Sequence, residues 1–226
     1  MRILVIAAHP DDEVLGCGGT IARHAKEGDE VKIAILGEGI TSRHAHRKQA
    51  GANSLQSIEN IARQAGDLLG AKTLHFGHLP DNRFDTVALL DVVKFVEEIV
   101  GMASPEVVYT HHAGDLNVDH AITARAVLTA TRPVEHTPVR ELLAFEVPSS
   151  TEWAFHTLLP TFQPNIFVDI RETLDMKIRA MNLYTTEIRP YPHPRSDDGL
   201  RAAARRWGTA SGVAAAEAFQ LVRSIR

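Results

Sequence analysis

ILVIAAHPDDEVLGCGGTIARHAKEGDEVKIAIL, residues 3–36, is the stretch that predicts the fold of this chain. Its first apolar run, residues 3–8, is rich in branched side chains and has the length of a buried parallel strand. Residues 20–26 predict a helix that ends at Gly28, and residues 31–36 predict a second buried strand. Strand, loop, helix and strand in this order form the βαβ unit of a doubly wound sheet.

The same alternation continues along the chain. Helices are predicted at residues 54–69, 87–100 and 121–131, and strands at residues 73–76, 107–110 and 141–146. Beyond Pro148 the pattern weakens, with an edge strand at 165–170, helices at 173–184 and 199–207, and a strand or helix at 214–222. We therefore predict a single-domain α/β fold over residues 1–226, with a Rossmann-like, mostly parallel sheet flanked by helices. Residues 1–147 would form its core, and residues 148–226 would form a wall for the substrate.

The composition is typical of a globular protein in a reducing compartment. Hydrophobic residues make up 44% of the 226 and charged residues 23%, and the formal net charge of −4 argues against a nucleic-acid partner. Cys17 is the single cysteine, so no internal disulfide can form, and a buried apolar role is expected for it. The first residues do not have the pattern of a signal peptide, and no window is apolar enough to span a bilayer. A cytoplasmic protein without membrane insertion is expected.

Polar side chains follow the first four predicted strands. They lie in the segments 9–13 (HPDDE), 37–39 (GEG), 81–83 (DNR) and 111–120 (HHAGDLNVDH). In an open α/β sheet, ligands bind beyond the carboxyl ends of the strands. These segments are therefore expected to meet in one site.

The first of these segments has the composition of a metal site. His9 and Asp12 lie three residues apart in a turn that enters a helix, so both can face one point. Asp11, Asp12 and Glu13 would repel one another at the end of an apolar strand, and a bound dication would remove that cost. The alternative is that Asp11 and Asp12 only cap the helix. His120, at the start of a later helix, can supply a third ligand, and two imidazoles with one carboxylate leave a position open for water, as in catalytic sites.

Five blocks of the sequence, in this order and spacing, resemble the LmbE-like or PIG-L family of deacetylases. They are AHPDDEVLGCGGTIA from Ala8, FGHLPDNRFD at 76–85, THHAGDLNVDH at 110–120, YPHPRS at 191–196 and AEAFQLVR at 216–223. The resemblance implies a Rossmann-like zinc enzyme that removes acetyl from N-acetylglucosamine or its conjugates. It also implies that His9, Asp12 and His120 bind the metal and that Asp11 is the general base.

One position departs from the family pattern. Many members carry a histidine three residues before the last metal ligand, and this chain has Asn117 there. An amide can donate to an oxyanion but cannot act as a charged acid. His112 or His193 is therefore predicted to act in catalysis beside Asn117, although His193, between two prolines, could also be a surface loop residue. Asp115 and Asp119 are predicted to orient the metal-binding imidazoles.

The substrate-binding candidates are Arg83, Asn82 and Arg43, which follow the third and second strands. A guanidinium at position 83 could bind a sugar hydroxyl, a carboxylate or a phosphate through paired hydrogen bonds. A salt bridge from Arg83 to Asp81 or Asp85 is the alternative. For Arg43 the alternative is a solvated helix face.

We predict a hydrolase with one Zn²⁺ per chain, or another divalent transition metal, that removes the N-acetyl group from an N-acetylglucosamine-type sugar or conjugate. Zinc is favoured over iron because hydrolysis needs a Lewis acid and no redox step. A zinc amidase that cleaves a larger amide is one alternative, and a non-catalytic Rossmann-like binding protein is another. A dinucleotide binder is disfavoured, because glycines 16, 18 and 19 do not give GxGxxG and the nearby acids would repel a pyrophosphate. The expected partner is a small N-acetylated sugar, and self-association into a homo-oligomer is left open.

Overall fold

The computed structural model of the protein describes residues 1–41, 52–135, 137–158 and 160–226. Within these ranges seven strands form one sheet: β1 Arg2–Ala7, β2 Glu30–Gly37, β3 Thr73–Leu79, β4 Val107–His111, β5 Glu141–Phe145, β6 Ile166–Asp169 and β7 Ala216–Ser224. The helices of the same ranges are α1 Asp12–Lys26, α2 Ala52–Leu69, α3 Leu89–Ala103, α4 Val118–Ala130, α5 Leu174–Met181 and α6 Asp197–Ser211. Short 3₁₀ turns lie at Phe84–Thr86 and Glu152–Ala154.

The strand order β3-β2-β1-β4-β5-β7-β6 confirms the predicted α/β fold with a mostly parallel sheet. Strands β1 to β5 run parallel, and β7 is antiparallel to both of its neighbours. Strand β1 lies between β2 and β4, with Ile6 paired to Thr110. The carboxyl ends of β1 and β4 are therefore adjacent, and the segments that follow them meet at one edge of the sheet.

Helix α1 begins at Asp12, so the predicted helix start at residue 20 was wrong. The helix is broken by one residue, Cys17, with φ −147° and ψ 24°. The glycines serve close packing here: a Cβ added to Gly16 would lie 2.3 Å from the ring of Phe145, and one added to Gly19 would lie 2.9 Å from Ile170. A pattern of glycines alone does not distinguish a loop from a helix pressed against a sheet.

The final apolar stretch, predicted as a strand or a helix at 214–222, is strand β7. It inserts between β5 and β6, and β6 is the edge strand that the sequence predicts at 165–170. The last third of the chain thus supplies two strands of the sheet as well as residues of the wall above it. The remaining predicted elements agree with the structure to within a few residues.

Apolar side chains fill both faces of the sheet. Helices α1, α2 and α5 pack on one face around residues such as Val5, Ile33 and Phe219, and α3 and α4 pack on the other around residues such as Leu4 and Val96. Cys17 is fully buried in the first of these clusters, and burial raises the pKa of its thiol well above the usual range. Among the described residues, no helix is both long and apolar enough to cross a membrane.

Candidate metal centre and active site

His9, Asp12 and His120 converge where β1 and β4 end. The Oδ2 atom of Asp12 lies 3.2 Å from Nδ1 of His9 and 3.1 Å from Nε2 of His120, and it also accepts the backbone N–H of His9 at 2.9 Å. All three side chains are buried, and their potential ligand atoms lie within 4.8 Å of one another. Two imidazoles and one carboxylate, open to a cavity, are the donor set of a catalytic site for zinc or a similar divalent metal.

Each of these imidazoles turns its second nitrogen to another carboxylate. Nε2 of His9 lies 2.9 Å from Oδ2 of Asp119, and Nδ1 of His120 lies 3.0 Å from Oδ1 of Asp115. Burial lowers the pKa of His120, but the carboxylates of Asp12 and Asp115 outweigh it and raise this pKa to about 9. Such pairs orient a metal-binding histidine, here through a hydrogen bond to His9 and through a charge contact to His120, whose Nδ1 makes no hydrogen bond among the described residues. The geometry therefore matches the orienting contacts predicted for Asp115 and Asp119.

Asp115 and Asp119 are themselves held by several donors. Asp115 accepts hydrogen bonds from the hydroxyls of Ser150 and Thr151, the latter at 2.6 Å. Asp119 accepts the backbone N–H of Phe84 at 2.9 Å, which ties the centre to the segment after β3. A second group of potential ligands, His9 with Asp81 and Asp119, shares His9 with the first. That second group has only one imidazole and uses the His9 nitrogen that Asp119 already binds.

Asp11 lies beside the centre in a strained conformation. Its φ of 107° is in the left-handed region, which costs energy for a residue other than glycine and is typical of functional sites. Asp11 makes no side-chain hydrogen bond to the α1 backbone within the described residues, so capping does not account for its position. Its carboxylate instead lines the cavity above the centre.

The environments of Asp11 and Asp12 separate their acidities. Burial raises the pKa of Asp11 well above its usual range, although Arg195 opposes this shift. Burial also disfavours the Asp12 carboxylate, but His120 and His9 overcome it and hold the pKa of Asp12 well below its usual range. Adjacent carboxyl groups with pKa values driven apart are typical of a site in which one group binds and the other exchanges protons.

Arg195 is a site residue that the sequence did not single out. Its Nη1 donates to Oδ2 of Asp11 at 2.7 Å and lies 3.5 Å from Oε2 of Glu187, while its Nε donates to Oγ of Ser149 at 2.7 Å. It belongs to the YPHPRS block, from which the prediction took His193 instead. The signal available in the sequence was charge: a cluster of buried acids needs a cation nearby.

His193 and His112 do not line the cavity as the structure describes it. Nδ1 of His193 accepts the backbone N–H of Arg195 at 3.1 Å, and its ring packs edge-on against Trp153. Nε2 of His112 lies 2.8 Å from the carbonyl of Pro160. No described contact joins His193 or His112 to Asp11, and their catalytic roles stay predictions.

Asn117 and Asn82 lie together at the rim. Asn117 is the N-cap of α4, where its Oδ1 accepts from the backbone N–H of Asp119, and its Nδ2 donates to Oδ1 of Asn82 at 2.9 Å. Nδ2 of Asn82 donates in turn to Oδ1 of Asp81 at 2.9 Å. Both asparagines line the cavity, but the Asn117 amide already has partners on both of its ends.

Arg83 is not among the residues that form the cavity. It is exposed and forms none of the predicted salt bridges to Asp81 or Asp85 in the described part of the chain. The neighbouring Phe84 is the residue that reaches the centre, with its ring centroid 5.9 Å from that of His9. Arg43 lies outside the described residues, in segment 42–51.

The cavity above the centre has a volume of about 610 Å³, within the range that holds small-molecule ligands. The residues that line it come from six segments of the chain: His9, Pro10, Asp11, Asp12, Gly39, Asp81, Asn82, Leu116, Asn117, Val118, His120, Ser149, Ser150, Trp153, Glu187 and Arg195.

A buried ion pair fixes the helix that carries Asp12. At the break in α1, Nζ of Lys177 donates to the free carbonyl of Leu15 at 2.8 Å and to Oε1 of Glu217 at 2.6 Å. The two carboxylate oxygens of Glu217 accept the backbone N–H groups of Gly19 and Thr20 at 3.0 and 2.7 Å. The pair thus satisfies the backbone groups that the break leaves without helical partners.

We expect Lys177→Met to lower the free energy of unfolding by about 3–5 kcal/mol, because it leaves the buried Glu217 carboxylate without its cation. Urea denaturation followed by circular dichroism measures the change. The double variant Lys177→Met/Glu217→Gln removes both charges and should recover much of the loss. A single variant within about 1 kcal/mol of the parent would show that the pair does not support the break in α1.

Fold and site together define an α/β protein with a candidate catalytic metal centre at the carboxyl ends of its parallel strands. The family model PIG-L, described as GlcNAc-PI de-N-acetylase, matches residues 4–131. The chain therefore belongs to the PIG-L family, which confirms the resemblance seen in the sequence.

Individual relatives agree with this assignment. The uncharacterized deacetylase YaiS of Escherichia coli (strain K12) is 28% identical over 176 residues, which cover 75% of this chain and 82% of that protein. Diacetylchitobiose deacetylase of Thermococcus kodakarensis is 27% identical over 235 residues, which cover 99% of this chain and 84% of that protein. The crystal structure of GalB, the 4-carboxy-2-hydroxymuconate hydratase of Pseudomonas putida KT2440, matches with a TM-score of 0.77 at 23% identity and covers 100% of this chain and 98% of that one. At that identity the last match shows the fold alone.

Proposed function

We propose that the protein is a zinc-dependent hydrolase that removes the N-acetyl group from an N-acetylglucosamine-type sugar or sugar conjugate. The observation that carries the proposal is the convergence of His9, Asp12 and His120 beside the buried, strained Asp11 in one cavity. Membership of the PIG-L family and similarity to a diacetylchitobiose deacetylase support the choice of an acetamido sugar.

The three ligands His9, Asp12 and His120 fit one divalent ion, with Asp119 and Asp115 holding the two rings. A zinc ion bound there would lower the pKa of a coordinated water toward about 7 and polarise the amide carbonyl. The side chains of the site would transfer the protons and orient the substrate.

Asp11 is the general base in this proposal. Arg195 binds Oδ2 of Asp11 and so leaves Oδ1 to take a proton from the attacking water. Burial holds the pKa of Asp11 high, so the carboxylic acid formed can pass the proton to the leaving amine. His112 and His193 are not among the cavity-lining residues, so this proposal gives both proton transfers to Asp11.

Arg195 and Asn117 are two of the donors that line the cavity and could stabilise the oxyanion. The guanidinium of Arg195 has five N–H donors and uses Nη1 and Nε for Asp11, Glu187 and Ser149. The amide of Asn117 would have to leave Asn82 to donate to a substrate. Arg195 is therefore the preferred donor, and it takes the place of the histidine that many family members carry at position 117.

The charges of the cavity favour a neutral, hydroxyl-rich substrate. Among its described lining residues, the carboxylates of Asp11, Asp12, Asp81 and Glu187 face a single guanidinium, that of Arg195. Carboxylates accept hydrogen bonds from sugar hydroxyls, whereas they repel a substrate with several negative charges. With the proposed zinc ion counted, four carboxylates face three positive charges among the described lining residues, so the cavity has no cationic excess that would hold a polycarboxylate such as the one named for the hydratase GalB.

Acetate release across a panel of N-acetylated sugars, nucleotide sugars and sugar conjugates tests the proposal, with and without a chelator. We expect acetate from at least one N-acetylglucosamine compound, loss of activity with the chelator, and recovery on addition of Zn²⁺. Release of a larger acid in place of acetate would indicate a different amidase. Hydration of an unsaturated polycarboxylate, without acetate release from any sugar, would overturn the proposal.

The single buried cysteine, Cys17, suits a reducing compartment. We place the reaction in the cytoplasm on that basis. A fluorescent fusion excluded from the cytoplasm would contradict this part of the proposal.

A further inference from the structure

Part of the cavity mouth is apolar and open to solvent. Leu116, Val118 and Trp153 all line the cavity, and their exposed fractions are 53%, 43% and 39%. Isolated exposed apolar residues are common, but a group of them around the mouth of one polar cavity is typical of a binding surface. These three residues are called the apolar rim below.

The apolar rim is built on fixed elements. Leu116 and Val118 flank Asn117, whose side chain is bonded at both ends where α4 begins. The ring of Trp153 packs at 83° against His193, with centroids 5.5 Å apart. Such edge-on contacts hold an aromatic ring in one orientation.

The rim is also tied to the metal centre. Trp153 lies in the 3₁₀ turn Glu152–Ala154, and Thr151 just before that turn donates to Asp115 at 2.6 Å. Asp115 is the carboxylate that holds the ring of His120. A ligand whose amide carbonyl lies at the centre can therefore reach the rim within the same cavity.

We propose that the apolar rim binds an apolar ring or alkyl group attached to the amino sugar, so that the preferred substrate is a glycoconjugate with an apolar aglycone. This inference rests on the proposed function, because it assumes that the sugar occupies the polar floor. The carboxylates of Asp81 and Glu187 can accept hydrogen bonds from sugar hydroxyls, and the cavity of about 610 Å³ leaves room beside one sugar ring for an attached group that covers the apolar rim. Burial of an aglycone against them would remove that apolar surface from water.

Two matched substrates test the inference: the phenyl and the methyl glycosides of N-acetylglucosamine, each as both anomers. With zinc-loaded enzyme, we expect kcat/KM for the phenyl glycoside to exceed that for the methyl glycoside by about tenfold or more, as apolar contacts of this size allow. Trp153→Ala should remove most of that preference, so that kcat/KM falls about tenfold more for the phenyl than for the methyl glycoside. Leu116→Ala, in the loop before α4, should also reduce the preference for the phenyl glycoside.

The control variant is Phe155→Ala. Phe155 is more exposed than Trp153, at 74%, and lies in the same segment, but it does not line the cavity. It should leave both substrates unchanged. An equal loss on both glycosides in Trp153→Ala would mean that Trp153 supports the centre and not an aglycone, and an absent phenyl preference in the parent enzyme would overturn the inference.

If neither glycoside releases acetate, the proposed function fails, but the apolar rim can still be tested on its own. In that case calorimetric binding of the phenyl glycoside to the zinc-loaded parent and to Trp153→Ala decides the matter. Tighter binding of the phenyl than of the methyl glycoside, lost in the variant, would support the apolar rim as a binding surface. Equal binding of the two would reject it.

Discussion

Asp11→Asn is expected to keep its metal and lose about 10²–10⁴-fold in kcat, the usual contribution of a general base. An amide has nearly the shape of the carboxylate but cannot accept the proton of the attacking water. The ligand atoms of His9, Asp12 and His120 are unchanged, so metal content measured by elemental analysis should stay at the level of the parent.

Asp85→Asn provides the control, since Asp85 is exposed and does not line the cavity. It should retain the activity of the parent on the same substrate. Near-parental kcat in Asp11→Asn, with metal bound, would assign the base to another residue.

His120→Ala is expected to lose both the metal and the activity. It removes one of the two imidazoles and exposes the Asp12 and Asp115 carboxylates to each other without the group that lies between them. Mutation of a group that only hydrogen-bonds to a metal ligand typically lowers metal affinity about 10–100-fold. Loss of a ligand itself should therefore lower the affinity by more than about 100-fold. Competition with a chromophoric chelator measures the affinity, and acetate release measures the activity.

The matched control for this variant is His78→Ala, at an exposed histidine on the edge strand β3 that lies 3.4 Å from Glu59 and does not line the cavity. It should bind zinc as the parent does. Full zinc affinity in His120→Ala would exclude His120 from the ligand set.

Much of the fold follows from local patterns in the sequence. Buried parallel strands are continuous apolar runs in the sequence. The runs that form β1 and β2 are easily recognised because the sequence segments that flank them are charged or rich in glycine. The site could be located because ligand segments in such sheets follow the strand ends. Family resemblance then indicated the roles of the residues within these segments.

What the sequence did not reveal depends on contacts between distant segments. The start of α1 was missed because Gly16 and Gly19 are required by Phe145 and Ile170, which lie more than a hundred residues further along the chain. The element at 214–222 was undecided because a short apolar run fits a helix or a strand until its neighbours, β5 and β6, are known.

The same limitation applies to the residues of the candidate site. Arg195 reaches Asp11 from a segment 184 residues away, and no local pattern distinguishes it from the neighbouring His193. His112 follows a strand end as predicted, but its ring turns to Pro160 and away from the cavity. Side-chain direction at a strand end alternates with position, so one residue decides whether a histidine faces the site.

The central claim is that His9, Asp12 and His120 bind one zinc ion. Anomalous diffraction from crystals grown with zinc, recorded above and below the zinc absorption edge, tests it most directly. We expect one strong peak per chain at about 2.0–2.2 Å from a nitrogen of His9, an oxygen of Asp12 and a nitrogen of His120. A peak between His9, Asp81 and Asp119, or no zinc peak at this edge of the sheet, would contradict the claim.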